Sequence, residues 1–286
     1  MLTRRKFLLS ASLLTSIGAA STLAQANTKN LIVENIKIYP RNLPMSFNGI
    51  KIGFLTDIHI SEYTDEVFIN ESIEKLLEHT PDIIILGGDY TWTADTLKLG
   101  LKKREQKLII LYEKLTPLLK KLTAPLGVFA VIGNHDRRDS ERICKESFSK
   151  IDTIKMLINE SIQIKKNNEE ISIFGVDDYL TGDPLFKIPP HPFEILVTHN
   201  SDYISALEKI NQFNFPLTLA GHTHGGQINF PIIGNLITPL QDLRFMQGLV
   251  QVKDNYVYTS RGIGVVGVPI RIAAPPEVTI VELLKT

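Results

Sequence analysis

One cysteine, Cys144, stands in a chain of 286 residues. It cannot close an intramolecular disulfide, and a zinc site built on thiolates is excluded. It follows Arg142-Ile143 in a stretch that reads as helix, so a buried structural thiol is expected rather than a nucleophile. Neither sign of charge is in surplus, since Lys+Arg and Asp+Glu both total 31. A nonspecific grip on phosphates needs a basic excess, so no nucleic-acid partner is expected. Several catalytic signatures are also missing. No G-x-x-x-x-G-K-[ST] loop, G-x-S-x-G elbow or H-E-x-x-H pair occurs. P-loop ATPases, elbow-type serine hydrolases and the commonest zinc protease arrangement are thereby excluded. Gly262-Ile263-Gly264 imitates a dinucleotide loop but leads to Pro269, not a helix.

Residues 1–26 read as a targeting segment rather than as part of the fold. Arg4, Arg5 and Lys6 precede an uncharged run, and Leu23-Ala24-Gln25-Ala26 supplies a small-residue cleavage pattern. Adjacent arginines followed by Phe7 and Leu8 resemble a twin-arginine export signal, a route that carries folded proteins. A lack of disulfides suits that route. The expectation is a signal peptide over 1–26, use of the export machinery, and a periplasmic or envelope location. The alternative is an inner-membrane anchor formed by the same apolar run. Residues 27–286 then form one catalytic domain, with 43% hydrophobic residues to build its core.

What is present is a repeated device. Residues 51–56, 83–86, 128–132, 195–197 and 217–220 are short apolar runs without alternation, as in strands buried on both faces. Each stops on polar residues: Asp57-Ile58-His59, Gly87-Gly88-Asp89, Gly133-Asn134-His135-Asp136, Thr198-His199-Asn200 and Gly221-His222-Thr223-His224. Amphipathic stretches at 66–79 and 95–122 lie between the early runs, which predicts an α/β domain. Ligands of open α/β sheets bind beyond the carboxyl ends of the strands, so the five clusters should meet on one rim. Residues i and i+2 of an extended chain face the same way. Asp57 and His59 could therefore reach one ion; His222 and His224 could reach one ion or two neighbours. Glycines at 87, 88, 133, 221, 225 and 226 permit positive φ or close backbone approach.

Imidazole and carboxylate ligands without thiolate suit Zn, Fe or Mn. Seven candidate ligands exceed what one tetrahedral zinc takes and suffice for two divalent ions sharing a carboxylate. Two carboxylates against two such ions leave a net positive site that attracts hydroxide and phosphoryl oxygens. Hydrolysis of a phosphate ester without a covalent enzyme intermediate follows.

These five blocks, in this order over residues 50–226, resemble the calcineurin-like metallophosphoesterase family. The segments GHTHGGQ, VTHN and SRGIGVVGVPIRIAAPPEV are similar to a bacterial branch of exported or membrane-anchored phosphodiesterases. The resemblance implies a four-layer α/β/β/α sandwich. It assigns Asp57, His59 and His224 to one ion, Asn134, His199 and His222 to the other, and Asp89 to both. His135 would face the scissile phosphate and protonate the leaving oxygen. One departure stands out. Family phosphoprotein phosphatases continue GD-x-x-D-R-G, whose second Asp supports the catalytic histidine; here Trp92 holds that place. Asp136 or Asp95 is the expected substitute, and a protein phosphatase is disfavoured.

A phosphate ester of the cell envelope, lipid-linked or from the wall, is the expected substrate. The resemblance also admits a UDP-2,3-diacylglucosamine pyrophosphatase, and a non-catalytic metal-stabilised binding module is the reading from another class. The apolar segment 228–240 could receive an acyl chain or contact a membrane peripherally. Lysines in 98–121 could meet anionic headgroups. Arg244, Arg261 and Arg271 are candidate phosphate clamps.

Overall fold

The computed structural model describes residues 28–93, 100–230, 234–235 and 239–285. Residues 1–26, expected to be a targeting segment, and Asp95 lie outside them, as do parts of 98–121 and 228–240. In chain order, β1 (Ile32–Ile38) and β2 (Lys51–Leu55) lead to helix α1 (Glu66–Glu78). Then come β3 (Ile83–Leu86), α2 (Leu101–Leu119), β4 (Val128–Ala130), α3 (Asn134–Phe148) and β5 (Ile154–Met156). The second half holds β6 (Glu160–Lys166), β7 (Glu169–Gly175), β8 (Glu194–Asn200), α4 (Asp202–Lys209) and β9 (Leu217–Gly221). A short hairpin of β10 (Asn229–Phe230) and β11 (Gly234–Asn235) precedes β12 (Gly248–Val252), β13 (Asn255–Thr259) and β14 (Glu277–Leu283).

The strands form two six-stranded mixed sheets, ordered β1-β14-β2-β3-β4-β5 and β12-β13-β9-β8-β7-β6. The period of two along each buried strand explains how they stack. Ile84 and Leu86 point to α1, α2 and α3, where they meet Ile69, Leu115 and Ile143. Their neighbours Ile83 and Ile85 point the other way, into a core shared with Ile195, Val197, Leu217 and Leu219 of the second sheet. Leu196, on the far face of β8, packs on Tyr203 and Leu207 of α4. The result is the four-layer α/β/β/α sandwich in one domain. Runs without alternation belong to strands with an apolar layer on both sides.

Two details differ from the sequence pattern. The ligand-bearing runs do not share one sheet: β2, β3 and β4 lie in the first, and β8 and β9 in the second. The parallel registers β2–β3–β4 and β8–β9 nonetheless send their carboxyl ends to a common rim. The lysines of α2 are also less free than a headgroup-binding face requires, since Lys114 and Lys107 pair with Glu66 and Glu62. Cys144 is buried on α3, as its position predicted. Among the described residues no helix is long and apolar enough to cross a membrane.

Helix α1 shows how local chemistry fixes an element. Asp65 precedes it with extended φ/ψ, and its carboxylate accepts the Phe68 N–H at 2.9 Å. Lys29 donates to the same carboxylate at 2.6 Å and, with that N–H, lowers its pKa. Asp65→Ala is expected to cost about 1 kcal/mol in urea unfolding at pH 7. A carboxyl whose folded pKa is depressed stabilises above its unfolded value and loses that contribution as pH falls through the folded one. The gap between parent and variant should therefore shrink below about pH 4; a pH-independent gap would assign the effect to something other than the ionised cap.

Candidate metal centre

The polar rim is built by loops that lock one another. After β2, Asp57 N–H and His59 N–H donate to the carbonyls of Gly88 and Asp89, each at 3.0 Å. After β4, Asp136 folds back from the first turn of α3. Its carboxylate accepts the N–H groups of Asp89 (2.7 Å), Tyr90 (2.9 Å) and Gly133 (3.1 Å) and the Tyr112 hydroxyl (3.0 Å). Gly133 lies so close to the Asp89 carboxylate that a Cβ there would collide with it, and Gly221 is pressed against Asp57 in the same way. Glycine serves close approach at these two positions.

The ligand candidates do not reach the rim as extended i, i+2 pairs. Asp57, His59, Asp89, His222 and His224 all have φ between 45° and 73°. Side chains rarely adopt that left-handed region, and the cost is about 1–3 kcal/mol per residue. Five such residues at one rim indicate that the surrounding hydrogen bonds hold the loops against local preference. The same turns send His222 and His224 to different clusters.

Those clusters are Asp57, His59 and His224, and Asp89, His199 and His222. Asp89 Oδ2 lies between them, 3.4 Å from His59 Nε2 and 3.1 Å from His199 Nε2. In the first cluster Asp57 Oδ1 is 3.4 Å from His224 Nε2 and 3.8 Å from His59 Nε2. Ligand atoms about 2.0–2.1 Å from a shared tetrahedral ion lie roughly 3.4 Å apart, which is the spacing seen. The donor atoms are also without other partners. His59 Nε2, His199 Nε2, His222 Nε2 and Asn134 Oδ1 are buried with no hydrogen bond among the described residues. Buried polar atoms are otherwise almost always paired. The residues present thus fit two divalent cations.

Electrostatics agree. Desolvation pushes His59 down to about 3 and His222 down to about 4, so both are neutral and ready to ligate near pH 7. Burial, and then Arg271, hold His224 well below its ordinary value. Burial acts in the same direction at His199, but there the carboxylates of Asp89, Asp57 and Asp178 together raise the pKa well above its ordinary value. A carboxylate that pulls a proton onto His199 would hold a divalent cation there instead.

His135 stands beside the clusters. Its ring is 5.2 Å from that of His59, and its N–H donates to Asp89 Oδ1 at 2.8 Å. The carboxylate beside its ring belongs to Asp139, not Asp136. Asp139 Oδ2 lies 3.3 Å from His135 Nδ1, one helical turn along α3. Arg104 of α2 and Arg138 pair with Asp139 in turn. Against the pull of burial, the carboxylates of Asp89 and Asp139 raise the His135 pKa. Asp136 is spent on loop N–H groups, while Trp92 stacks on Tyr63 at 5.8 Å.

The proposed arginine clamps are occupied elsewhere. Arg271 is fully buried and donates to main-chain carbonyls, Arg261 pairs with Glu34 and Glu277, and Arg244 with Asp242 and Glu208. Arg138, whose NH2 is 3.1 Å from His135 Nδ1, is a cation beside the site, and Arg271 NH2 lies 3.3 Å from His224 Nδ1. Sequence reasoning also missed Asp178. It follows β7 just as the other clusters follow their strands, and its Oδ1 is buried without a hydrogen-bond partner among the described residues. The signal was available in Ile171-Ser172-Ile173-Phe174-Gly175, an apolar run that stops on Asp177-Asp178.

Two carboxylate–imidazole clusters joined by one aspartate, at the shared rim of two stacked sheets, define a site for a pair of divalent ions. Residues 50–226 match the calcineurin-like phosphoesterase family, and the chain belongs to it. Its relatives include an uncharacterized metallophosphoesterase, YkuE, of Bacillus subtilis (strain 168), 30% identical over 85% of this chain and 82% of the relative. Phosphodiesterase YaeI of Escherichia coli (strain K12) is 30% identical over 82% of each chain. The UDP-2,3-diacylglucosamine pyrophosphatase LpxG of Chlamydia trachomatis is 26% identical over 85% of this chain and 87% of its own. The chain is accordingly a metallophosphoesterase, a hydrolase of phosphate esters.

Proposed function

We propose that the chain is a phosphodiesterase that uses two divalent ions, Mn, Zn or Fe, on a lipid-linked or cell-wall phosphate ester at the cell envelope. One observation carries this reading. A cavity of about 260 Å³ is lined by Asp89, His135 and His224 together with the apolar Ile228, Pro239 and Val268. A phosphate on the ions would bring an attached apolar group into the same cavity as those apolar side chains. Divalent ions bound by these ligands supply a hydroxide at neutral pH and neutralise phosphoryl oxygens. His135, whose pKa the carboxylates of Asp89 and Asp139 raise against burial, is placed to donate a proton to the leaving oxygen, and Asp139 holds its ring. Export through residues 1–26 would deliver the folded chain to the envelope.

Likeness to the LpxG pyrophosphatase supports a second reading, with a nucleotide diphosphate substrate and residues 1–26 as an anchor. Among the described residues that line the cavity there is no lysine or arginine to face a second phosphate, so the single-phosphate reading is preferred.

The test is hydrolysis of bis-p-nitrophenyl phosphate by the chain stripped of metal and titrated with Mn, Zn and Mg. Metal is expected to restore turnover. His135→Ala should lower kcat by about 10²–10⁴-fold, the usual worth of a general acid, while both ions stay bound. A chain holding two ions but inert toward this diester and toward lipid-linked phosphodiesters would be a metal-stabilised binding module instead.

A further inference from the structure

We propose that Gln227 is a positioning residue for substrate selectivity. Its side chain fixes the segment Val266–Val268 as a lining of the substrate cavity, so that phosphodiesters carrying an extended apolar chain are preferred. The inference rests on the phosphodiesterase reading above and deepens it.

The stretch after β13 is pinned at both ends by main-chain bonds. Ile263 N–H and Gly264 N–H donate to the carbonyls of Thr56 (3.3 Å) and Asp57 (2.7 Å), and Ile272 N–H donates to the Gln227 carbonyl (2.9 Å). Between these anchors the chain turns tightly. Val268 N–H returns to the Val266 carbonyl and Ile270 N–H to that of Val268, each at 2.8 Å, and Gly267 has a φ of 74°. Among the described residues, one side chain ties this middle part to the rest of the protein. Gln227 Oε1 accepts the Val266 N–H at 2.9 Å, and Nε2 donates to the carbonyls of Val266 (2.9 Å) and Val268 (3.1 Å). An uncharged amide offers one acceptor oxygen and two donor hydrogens, which matches one N–H and two carbonyls.

The tie has two consequences. It satisfies three main-chain polar groups that would otherwise demand water beside Val266 and Val268. It also couples those residues to the metal loop, because Gln227 N–H donates to the His224 carbonyl at 3.0 Å. Val266, Gly267 and Val268 thus line the same cavity as His135 and His224. Val268 is 43% exposed, so its apolar surface is free to meet a group attached to the phosphate. Gln227 itself holds a left-handed φ of 49°, a conformation that side chains rarely adopt and that its surrounding bonds sustain.

Alkyl p-nitrophenyl phosphates from methyl to octyl test this, since they share a leaving group and differ only in apolar length. With the metal-loaded full chain, KM should fall along the series by up to about fourfold for each methylene buried. The octyl ester should be favoured over the methyl ester by more than about tenfold in kcat/KM. Gln227→Ala should shrink that ratio below about threefold, with most of the change in KM rather than kcat. Val268→Ser, at an exposed position, should shrink the ratio too while leaving the Gln227 bonds in place. Hydrogen exchange over residues 264–272 reads the tie without activity, and should quicken in Gln227→Ala but not in Val268→Ser. A flat length series in an active parent, or a Gln227→Ala chain with the parental ratio, would overturn the inference. So would an equal loss toward both esters with release of metal, which would make Gln227 a holder of the His224 loop alone. A parent that keeps two ions but turns over no ester of the series would sink the phosphodiesterase reading itself, and the selectivity with it.

Discussion

Asp89→Asn is expected to cut turnover of bis-p-nitrophenyl phosphate by more than about a hundredfold while the chain still folds. The reason lies in what each oxygen does. Asp89 Oδ2 sits between the two clusters, 3.4 Å from His59 Nε2 and 3.1 Å from His199 Nε2. Oδ1 accepts the His135 N–H at 2.8 Å, so it ties the loop after β3 to the start of α3. Asparagine keeps an acceptor for that N–H but gives up the charge that two cations held by these clusters would share. Outer partners of metal ligands already cost about 10–100-fold when lost, and a shared direct ligand must exceed them. Metal analysis should find fewer than two ions per chain, with near-ultraviolet circular dichroism unchanged. Two tightly bound ions with parental kcat would show that Asp89 does not join the positions.

Asp136→Ala should produce the largest loss of stability, about 3–5 kcal/mol, because several buried donors lose their acceptor at once. The carboxylate is fully buried and gathers three N–H groups and the Tyr112 hydroxyl. Alanine leaves four donors without an acceptor, and each buried unsatisfied group costs about 1–3 kcal/mol before relaxation. The melting temperature should fall by roughly 10 °C. Turnover should fall as well, because the same donors hold the loops that carry Asp89, Asn134 and His135. Urea unfolding beside kcat separates the two possibilities. A variant of parental stability that is inactive would restore Asp136 to a direct part in the chemistry.

The Asp136 case shows why the sequence was an incomplete guide to the site. Residue types and their placement after apolar runs are local properties, and they led to Asp57, His59, Asp89, Asn134, His135, His199, His222 and His224. The partner of His135 was not local in the same sense. Asp136 adjoins it in sequence, but on a helix neighbours diverge and residues four apart meet, so Asp139 makes the contact. Once α3 is known to begin at Asn134, that pairing follows.

The sequence by itself determined the buried strands, the ligand inventory, the exclusion of thiolate, P-loop and elbow chemistries, and the α/β class. It could do so because strand burial and ligand chemistry are written in short windows. Tertiary structure decided the rest: the division of the ligand-bearing strands between two sheets, the left-handed turns that part His222 from His224, and the burial of Arg271 against His224. These depend on pairings such as β14 with β2 and on contacts between residues more than forty positions apart, like Arg271 with His224. No local pattern encodes them, because the energy that selects them comes from packing the two sheets and tying their loops together at one rim.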